Sequence, residues 1–153
     1  MSTPSVTETT PAAMVWSDVY LTGYDPMDSI HQEFVELLGF LLKASQEQMP
    51  ALMDALAKHT REHFASENAW MEETQFPPRQ CHIDEHAAVM QSIDEVRALV
   101  AKKDYDHVPS LAQALADWFP GHADHLDSAL AHWLCKRSLG GKPVVIRRNI
   151  ALR

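Results

Sequence analysis

Residues 79–103 decide the fold of this chain, and they read RQCHIDEHAAVMQSIDEVRALVAKK. One seam of side chains in this stretch advances by 4, 3, 4, 3 and 4 residues: His82, His86, Val89, Ile93, Val96 and Val100. That spacing is typical of a helix that packs against other helices along one face. We therefore predict a helix over 79–103 with two histidines on the side that faces the core.

Three further segments show apolar residues at helical spacing. We predict that these segments form helices over about residues 26–48, 50–75 and 109–139. Each begins at a proline, which favours the first turn of a helix, and Asp25 is a candidate N-terminal cap for the first of them. Four helices joined by short loops predict an all-α protein with an up-down-up-down four-helix bundle.

The two ends of the chain differ from this helical region. Residues 1–15 are rich in Ser, Thr and Pro, and we predict a flexible N-terminal tail there. The bundle is assigned to residues 16–138, and residues 139–153 are predicted to form a short basic C-terminal arm. With 153 residues, 46% of them apolar, the chain is long enough to bury a core of its own.

Charge and hydropathy exclude two classes of function. A net charge of −8 disfavours nucleic-acid binding, because phosphate recognition depends on clustered Lys and Arg. The longest apolar-rich run, residues 35–42, is too short to cross a bilayer, and the first residues do not match a secretory signal. We expect a cytoplasmic protein, a monomer or weak homo-oligomer, that binds neither nucleic acid nor membrane.

Histidine is the unusual residue of this composition, with nine copies. His63 and Glu67 are four residues apart on the second helix, and His82 and His86 are four apart on the third, so each pair projects from one helix face. Burying such groups without partners would cost on the order of several kcal/mol each, whereas a metal ion satisfies imidazole and carboxylate together. Imidazole and carboxylate donors without cysteine favour iron or manganese over structural zinc.

Candidate ligands also lie on the other two helices, His31 on the first and His122 with Asp127 on the fourth. His122 and Asp127 are five residues apart, and on a regular α-helix that spacing separates two side chains by about 140°. We therefore predict a π-type bulge or a widened turn between them. Asp124 and His125 are alternative ligands in this segment.

The motifs that carry these residues are Trp16-Ser-Asp, Asp28-Ser-Ile-His31, His63-Phe-Ala-Ser-Glu67, His82-Ile-Asp-Glu-His86 and His122-Ala-Asp-His-Leu-Asp127. In this order and spacing they resemble the hemerythrin family, in particular its single-domain bacterial members. The resemblance covers roughly residues 16–135. A pattern of seven candidate ligands on four helices is specific, whereas a single HxxxE or HxxxH would be weak.

The resemblance implies a non-heme diiron centre that binds dioxygen reversibly, for storage, delivery or sensing, without turning over a substrate. The implied ligands are His82, His86 and His122 for one iron, His31 and His63 for the other, and Glu67 and Asp127 as bridges. A solvent-derived oxo or hydroxo group would be the third bridge. Dioxygen would bind at the open position of the two-histidine iron.

The positions that match the family's dioxygen pocket are Phe34, Phe64, Trp118, Phe119 and Ala123. An apolar wall would keep water from the bound gas, although the four aromatic residues also fit ordinary core packing. At Ala123 the resemblance leads us to expect a larger aliphatic residue, and a wider cavity would favour autoxidation. Two alternatives therefore stay open: a diiron enzyme that reduces peroxide or nitric oxide, and an iron- or redox-responsive regulatory module.

Overall fold

The computed structural model describes residues 14–138 of the chain. Its helices are α1 (Asp25–Leu42), α2 (Met49–Glu73), α3 (Arg79–Ala101), α4 (Val108–His122) and α5 (Ser128–Ser138), with a π-helical segment at Ala123–Asp127 between the last two. A short 3-10 helix at Asp18–Tyr20 precedes α1. The residues that the structure describes form no strand, so the predicted all-α class is confirmed.

The helices pack as neighbours around one core. α1 contacts α2 and α4, α2 contacts α3, and α3 contacts α4, while α5 continues the fourth helix beyond the π-helical segment. Leu41 from the end of α1 shares one apolar cluster with Met53 from the start of α2, so these helices run in opposite directions. Short loops impose the same reversal at each later connection. The predicted up-down-up-down bundle is confirmed.

Buried apolar residues fill both ends of the bundle. The larger apolar cluster includes Phe34, Leu38, Leu41, Met53, Leu56, Ile93, Val100, Leu111, Leu115 and Phe119. The smaller apolar cluster comprises Met27, Met71, Phe76, Leu130, Ala131 and Leu134. Along α1, α2 and the fourth helix, the candidate metal ligands lie between residues of these two clusters. The core therefore contains a polar layer between two apolar ones.

The predicted seam of α3 is confirmed, because its residues are buried or partly buried as the spacing indicated. His82, His86, Ile93 and Val100 are buried, and Val89 and Val96 pack partly buried against the larger apolar cluster. The helix ends at Ala101 rather than Lys103. Lys103 has a φ of 64°, and this left-handed conformation turns the chain toward α4.

The first helix ends at Leu42, well before the predicted Gln48. Residues 43–48 form turns in which the backbone N–H of Gln48 donates to the Ser45 carbonyl at 3.0 Å. The backbone N–H of Ser45 donates to the side-chain oxygen of Gln48, also at 3.0 Å. Hydrogen bonds between side chain and backbone compete with helix formation. The apolar residues at helical spacing in this segment also end before the turn.

The start of α1 also differs from the prediction. Asp25 is the first helical residue, not the cap, and the N-cap residue is Tyr24. Asp28 instead fixes the loop before the helix, because its carboxylate accepts hydrogen bonds from the Thr22 N–H at 2.8 Å, the Thr22 hydroxyl at 2.7 Å and the Gly23 N–H at 3.0 Å. Gly23 has a φ of 90°, a conformation that favours glycine.

The predicted tail and arm fall outside the described residues, except for Met14 and Val15, and they stay predictions. Over 14–138, no helix is both long and apolar enough to cross a membrane.

Candidate metal centre

A single irregular turn brings the last two candidate ligands together. The backbone N–H of Ser128 donates to the carbonyl of Ala123, five residues earlier, and the Ser128 hydroxyl donates to the same oxygen at 2.9 Å. This i to i+5 pattern widens the turn, so side chains five residues apart reach the same side of the helix. His122 Nε2 consequently lies 3.2 Å from Asp127 Oδ1, and both side chains are fully buried. The predicted π-type irregularity is confirmed.

The two alternative ligands of this segment point away from the core. Asp124 and His125 are exposed, whereas Asp127 is completely buried. The structure therefore brings Asp127, not its neighbours, to the other candidate ligands.

All seven predicted ligand side chains are buried and form two overlapping groups. The first group is Glu67, His82, His86, His122 and Asp127, and the second is His31, His63 and Glu67. Within each group the potential donor atoms lie within 4.8 Å of one another. The groups separate the histidines into three and two, and Glu67 belongs to both.

Each carboxylate extends between the two sets of histidines. Glu67 Oε2 lies 3.1 Å from His31 Nε2 and 2.6 Å from His63 Nε2, while its Oε1 lies 3.3 Å from His86 Nε2. Asp127 Oδ2 lies 3.1 Å from His31 Nε2. Its other oxygen, Oδ1, lies 2.9 Å from His82 Nε2. Each carboxylate thus presents one oxygen to each side.

Several buried polar atoms of this cluster have no satisfactory hydrogen bond despite these short distances. Among the described residues, Glu67 Oε1, His82 Nε2 and both oxygens of Asp127 lack a hydrogen bond of acceptable geometry, although they lie close to one another. The Nε2 atoms of His86 and His122 face each other at 3.3 Å. An unsatisfied buried polar atom costs about 1–3 kcal/mol, so a core rarely retains several of them without a ligand. The converging nitrogen and oxygen atoms fit bound metal ions, which would satisfy them together.

Comparison with known proteins agrees with this geometry. The chain matches the family model described as "Hemerythrin HHE cation binding domain" over residues 22–134, a span that contains all seven candidate ligands. The chain belongs to the hemerythrin family. The family resemblance inferred from the motifs is therefore confirmed, and the buried cluster is the candidate metal-binding site of this hemerythrin domain.

The chain is also similar to curated bacterial hemerythrins. It is 38% identical to the bacteriohemerythrin of Ralstonia nicotianae, an alignment that covers 80% of this chain and 89% of the relative. It is 29% identical to that of Aquifex aeolicus, over 71% of this chain and 87% of the relative. It is 26% identical to the bacteriohemerythrin of Stenotrophomonas maltophilia, over 72% of this chain and 84% of the relative.

The buried imidazoles and carboxylates of this hemerythrin site shift one another's pKa values. Burial alone would lower the pKa values of His31 and His82, but the carboxylates of Asp127 and Glu67 raise them to about 10 and about 9. Burial would raise the pKa of Glu67, yet the neighbouring histidines hold it well below its usual value. The pKa of His86 is lowered, by burial and by other histidines beside it. Protons and metal ions therefore compete for the same atoms.

Three of the predicted pocket residues lie on the side of His31 and His63. Phe34 and Phe119 are completely buried, and their ring centroids are 5.1 Å apart. The Phe119 ring presents an edge-on contact to His31 at 5.2 Å, and Phe34 lies 5.9 Å from His63. Ala123 is buried in the larger apolar cluster with both phenylalanines.

The other two pocket residues lie mainly on the side of the three histidines. Phe64 stacks on His86 with a centroid distance of 3.9 Å and an angle of 6°, and it also contacts His63 at 5.1 Å. Trp118 lies 4.3 Å from the ring of His122. The predicted pocket set is thus divided between two faces of the hemerythrin site.

Sequence reasoning missed two polar residues that contact the histidines from outside. Glu85 accepts a hydrogen bond from His122 Nδ1 at 2.9 Å, and Asn68 Oδ1 lies 2.8 Å from His86 Nδ1. Glu85 directly precedes His86 in the chain, yet its partner lies on the fourth helix. The spacing within one helix gives no signal for a contact that forms only when two helices pack.

Proposed function

We propose that this protein binds two iron ions at the buried cluster and binds dioxygen there reversibly, for storage, delivery or sensing in the cytoplasm. One observation carries the proposal: Glu67 and Asp127 each direct one oxygen to the three-histidine group and the other to the two-histidine group. A carboxylate in this position suits two adjacent ions better than a single one. The similarity to bacteriohemerythrins supports iron as the metal.

The ligand assignment follows the two groups. His82, His86 and His122 would hold one iron, His31 and His63 would hold the other, and Glu67 and Asp127 would be shared by both ions, together with a solvent-derived oxo or hydroxo group. When bound, the iron pair supplies the Lewis acidity and the two electrons that reversible dioxygen binding requires. The two-histidine group offers fewer protein ligands, so the gas would bind on that side.

The aromatic residues beside His31 and His63 provide the environment that this chemistry needs. Phe34 and Phe119 are completely buried, and Phe119 contacts His31 directly. An apolar wall keeps water and proton donors from the bound gas, which favours release of intact dioxygen over its reduction. Tyr20 is partly buried and packs against Phe119 with a centroid distance of 5.7 Å, which extends this wall.

The proposal is tested by loading the reduced protein anaerobically with ferrous iron and counting the metal per chain. Air is then admitted while the visible spectrum is recorded. We expect two iron ions per chain and a new charge-transfer band that bleaches on degassing. Irreversible oxidation without such a band would favour the peroxide or nitric oxide enzyme instead. A folded chain that retains no iron would refute the metal site itself.

A further inference from the structure

The five buried histidines fall into two classes, according to whether the ring nitrogen Nδ1 has a hydrogen-bond partner. His122 Nδ1 lies 2.9 Å from a Glu85 oxygen, and His86 Nδ1 lies 2.8 Å from the Asn68 side-chain oxygen. The remaining Nδ1 atoms have no hydrogen-bond partner among the described residues, and they belong to His31, His63 and His82. Both histidines with an Nδ1 partner are in the three-histidine group, whereas neither histidine of the two-histidine group has an Nδ1 partner within residues 14–138.

The partners of His86 and His122 favour one tautomer of each ring. A carboxylate oxygen and an amide oxygen only accept hydrogen bonds, and they lie 2.9 Å and 2.8 Å from the Nδ1 atoms. The Nε2 atoms lie farther from their nearest carboxylate oxygens, at 3.2 Å and 3.3 Å, so the proton of a neutral imidazole is favoured on Nδ1. The lone pair is then on Nε2. The two Nε2 atoms lie 3.3 Å apart, so these lone pairs are close together even before a cation is present.

Further contacts hold these two rings in position. The Glu85 oxygen that accepts from His122 also accepts from the indole N–H of Trp118 at 2.7 Å, and the Trp118 ring lies against His122. Phe64 stacks on His86 at 3.9 Å. Each ring is therefore held by a hydrogen bond at Nδ1 and by contact with an aromatic side chain.

We propose that Glu85 and Asn68 are positioning residues that hold His122 and His86 ready for metal, so that the three-histidine half of the centre binds iron first and more tightly. This inference rests on the proposed diiron function. A ring without a partner must adopt its tautomer and orientation when the metal arrives, which weakens binding. Hydrogen-bond partners of ligating histidines typically contribute about 10–100-fold to metal affinity.

The first test is an anaerobic titration with ferrous iron in competition with a chromophoric chelator. Wild-type protein should bind two irons in two separable steps. Glu85→Ala and Asn68→Ala should weaken the tighter step about 10–100-fold and change the weaker step less than about twofold. Glu85→Gln keeps an acceptor oxygen and should lose less affinity. Glu95→Ala is the matched control, because Glu95 is an exposed residue of the same helix that accepts from Gln91.

A second readout reports the tautomers directly. Two-bond proton–nitrogen NMR spectra of the metal-free, ¹⁵N-labelled protein should show His86 and His122 protonated on Nδ1. Glu85→Ala should remove that signature from His122 and leave it on His86, and Asn68→Ala should do the reverse. Thermal unfolding followed by circular dichroism checks that each variant folds. The Glu85 side chain is 38% exposed, so the fold should tolerate both of its substitutions.

Several results would overturn the inference. Two irons bound with equal affinity by the wild-type protein would refute the order of loading while leaving the diiron proposal intact. Equal weakening of both steps by Glu85→Ala, or unchanged tautomers, would make Glu85 a merely structural residue. If the wild-type protein binds no iron at all, the proposed function fails together with the inference.

Discussion

The larger apolar cluster and the polar layer beside it are built by the same helices but differ in what stabilises them. Leu38, Met53 and Ile93 in the cluster are completely buried, and such burial contributes about 25 cal/mol per Å² of apolar surface. The polar layer is equally buried, yet among the described residues its carboxylates and imidazoles leave several atoms without hydrogen bonds. The cluster therefore stabilises the bundle by itself, whereas the layer costs free energy until a cation binds.

This difference shows where the fold and the function separate. A sequence selected only for stability would continue the apolar residues through the middle of the core, because each local choice would then agree with the fold. The seven buried candidate ligands depart from that rule. We expect the departure to be compensated by metal binding, and the following substitutions and conditions test that expectation.

The largest effect should come from the metal itself. A ligand that binds only the folded state stabilises it by about 4 kcal/mol at a thousandfold excess over its Kd. Anaerobic thermal unfolding should therefore show a melting temperature higher by roughly 10 °C with ferrous iron than with a chelator. Magnesium, which prefers oxygen ligands, is the control and should give no shift. Equal melting temperatures with and without iron would mean that the polar layer does not depend on metal.

Leu38→Ala should produce the next largest effect, and it should act on the fold alone. Removing a fully buried leucine costs about 3 kcal/mol through lost apolar contacts and the cavity left behind. Urea unfolding should show the same loss of stability in the metal-free protein and in the iron-loaded protein. The iron-loaded variant should still bind two irons per chain. Leu37→Ala, at a partly buried position of the same helix, should cost less. A large loss of iron from Leu38→Ala would show that the two regions are not independent.

Regular features of the fold could be predicted because they depend on one helix at a time. The seam of α3 follows from its 4-3 spacing, and the π-helical segment follows from the five-residue interval between His122 and Asp127, which no regular helix can bring to one side. The family resemblance then predicted that candidate ligands far apart in the chain belong to one site.

Features that depend on local hydrogen-bond competition or on the packing of two helices could not be predicted in the same way. α1 ends early because Ser45 and Gln48 exchange hydrogen bonds in a turn, which helical periodicity does not reveal. Glu85 is invisible as a partner of His122 because the contact crosses from α3 to the fourth helix. Both results come from competition or packing that arises only in the folded chain.

His82→Ala should act on the metal more than on the fold. Removing the hydrogen-bond partner of a ligating histidine can weaken metal binding roughly 100-fold, or about 2.7 kcal/mol. Removing the ligand itself should weaken iron binding by at least that much. Iron content after desalting should fall from two per chain to one or fewer. His107→Ala is the matched control, since His107 is 59% exposed and lies apart from the cluster. Equal loss of iron from both variants would refute the ligand assignment.

Ser128→Ala should have the smallest effect, because it removes only one of the two hydrogen bonds on the Ala123 carbonyl. The Ser128 backbone N–H still donates to that oxygen, so the π-helical segment should persist and Asp127 should stay near His122. Loss of the hydroxyl should cost about 0.5–1.5 kcal/mol of stability and weaken iron binding only a few-fold. Ser92→Ala is the control, since the Ser92 hydroxyl donates to the Ala88 carbonyl on the exposed side of α3. If Ser128→Ala abolishes iron binding while Ser92→Ala does not, the hydroxyl rather than the backbone maintains the wide turn, and the polar layer then depends on a single side-chain hydrogen bond.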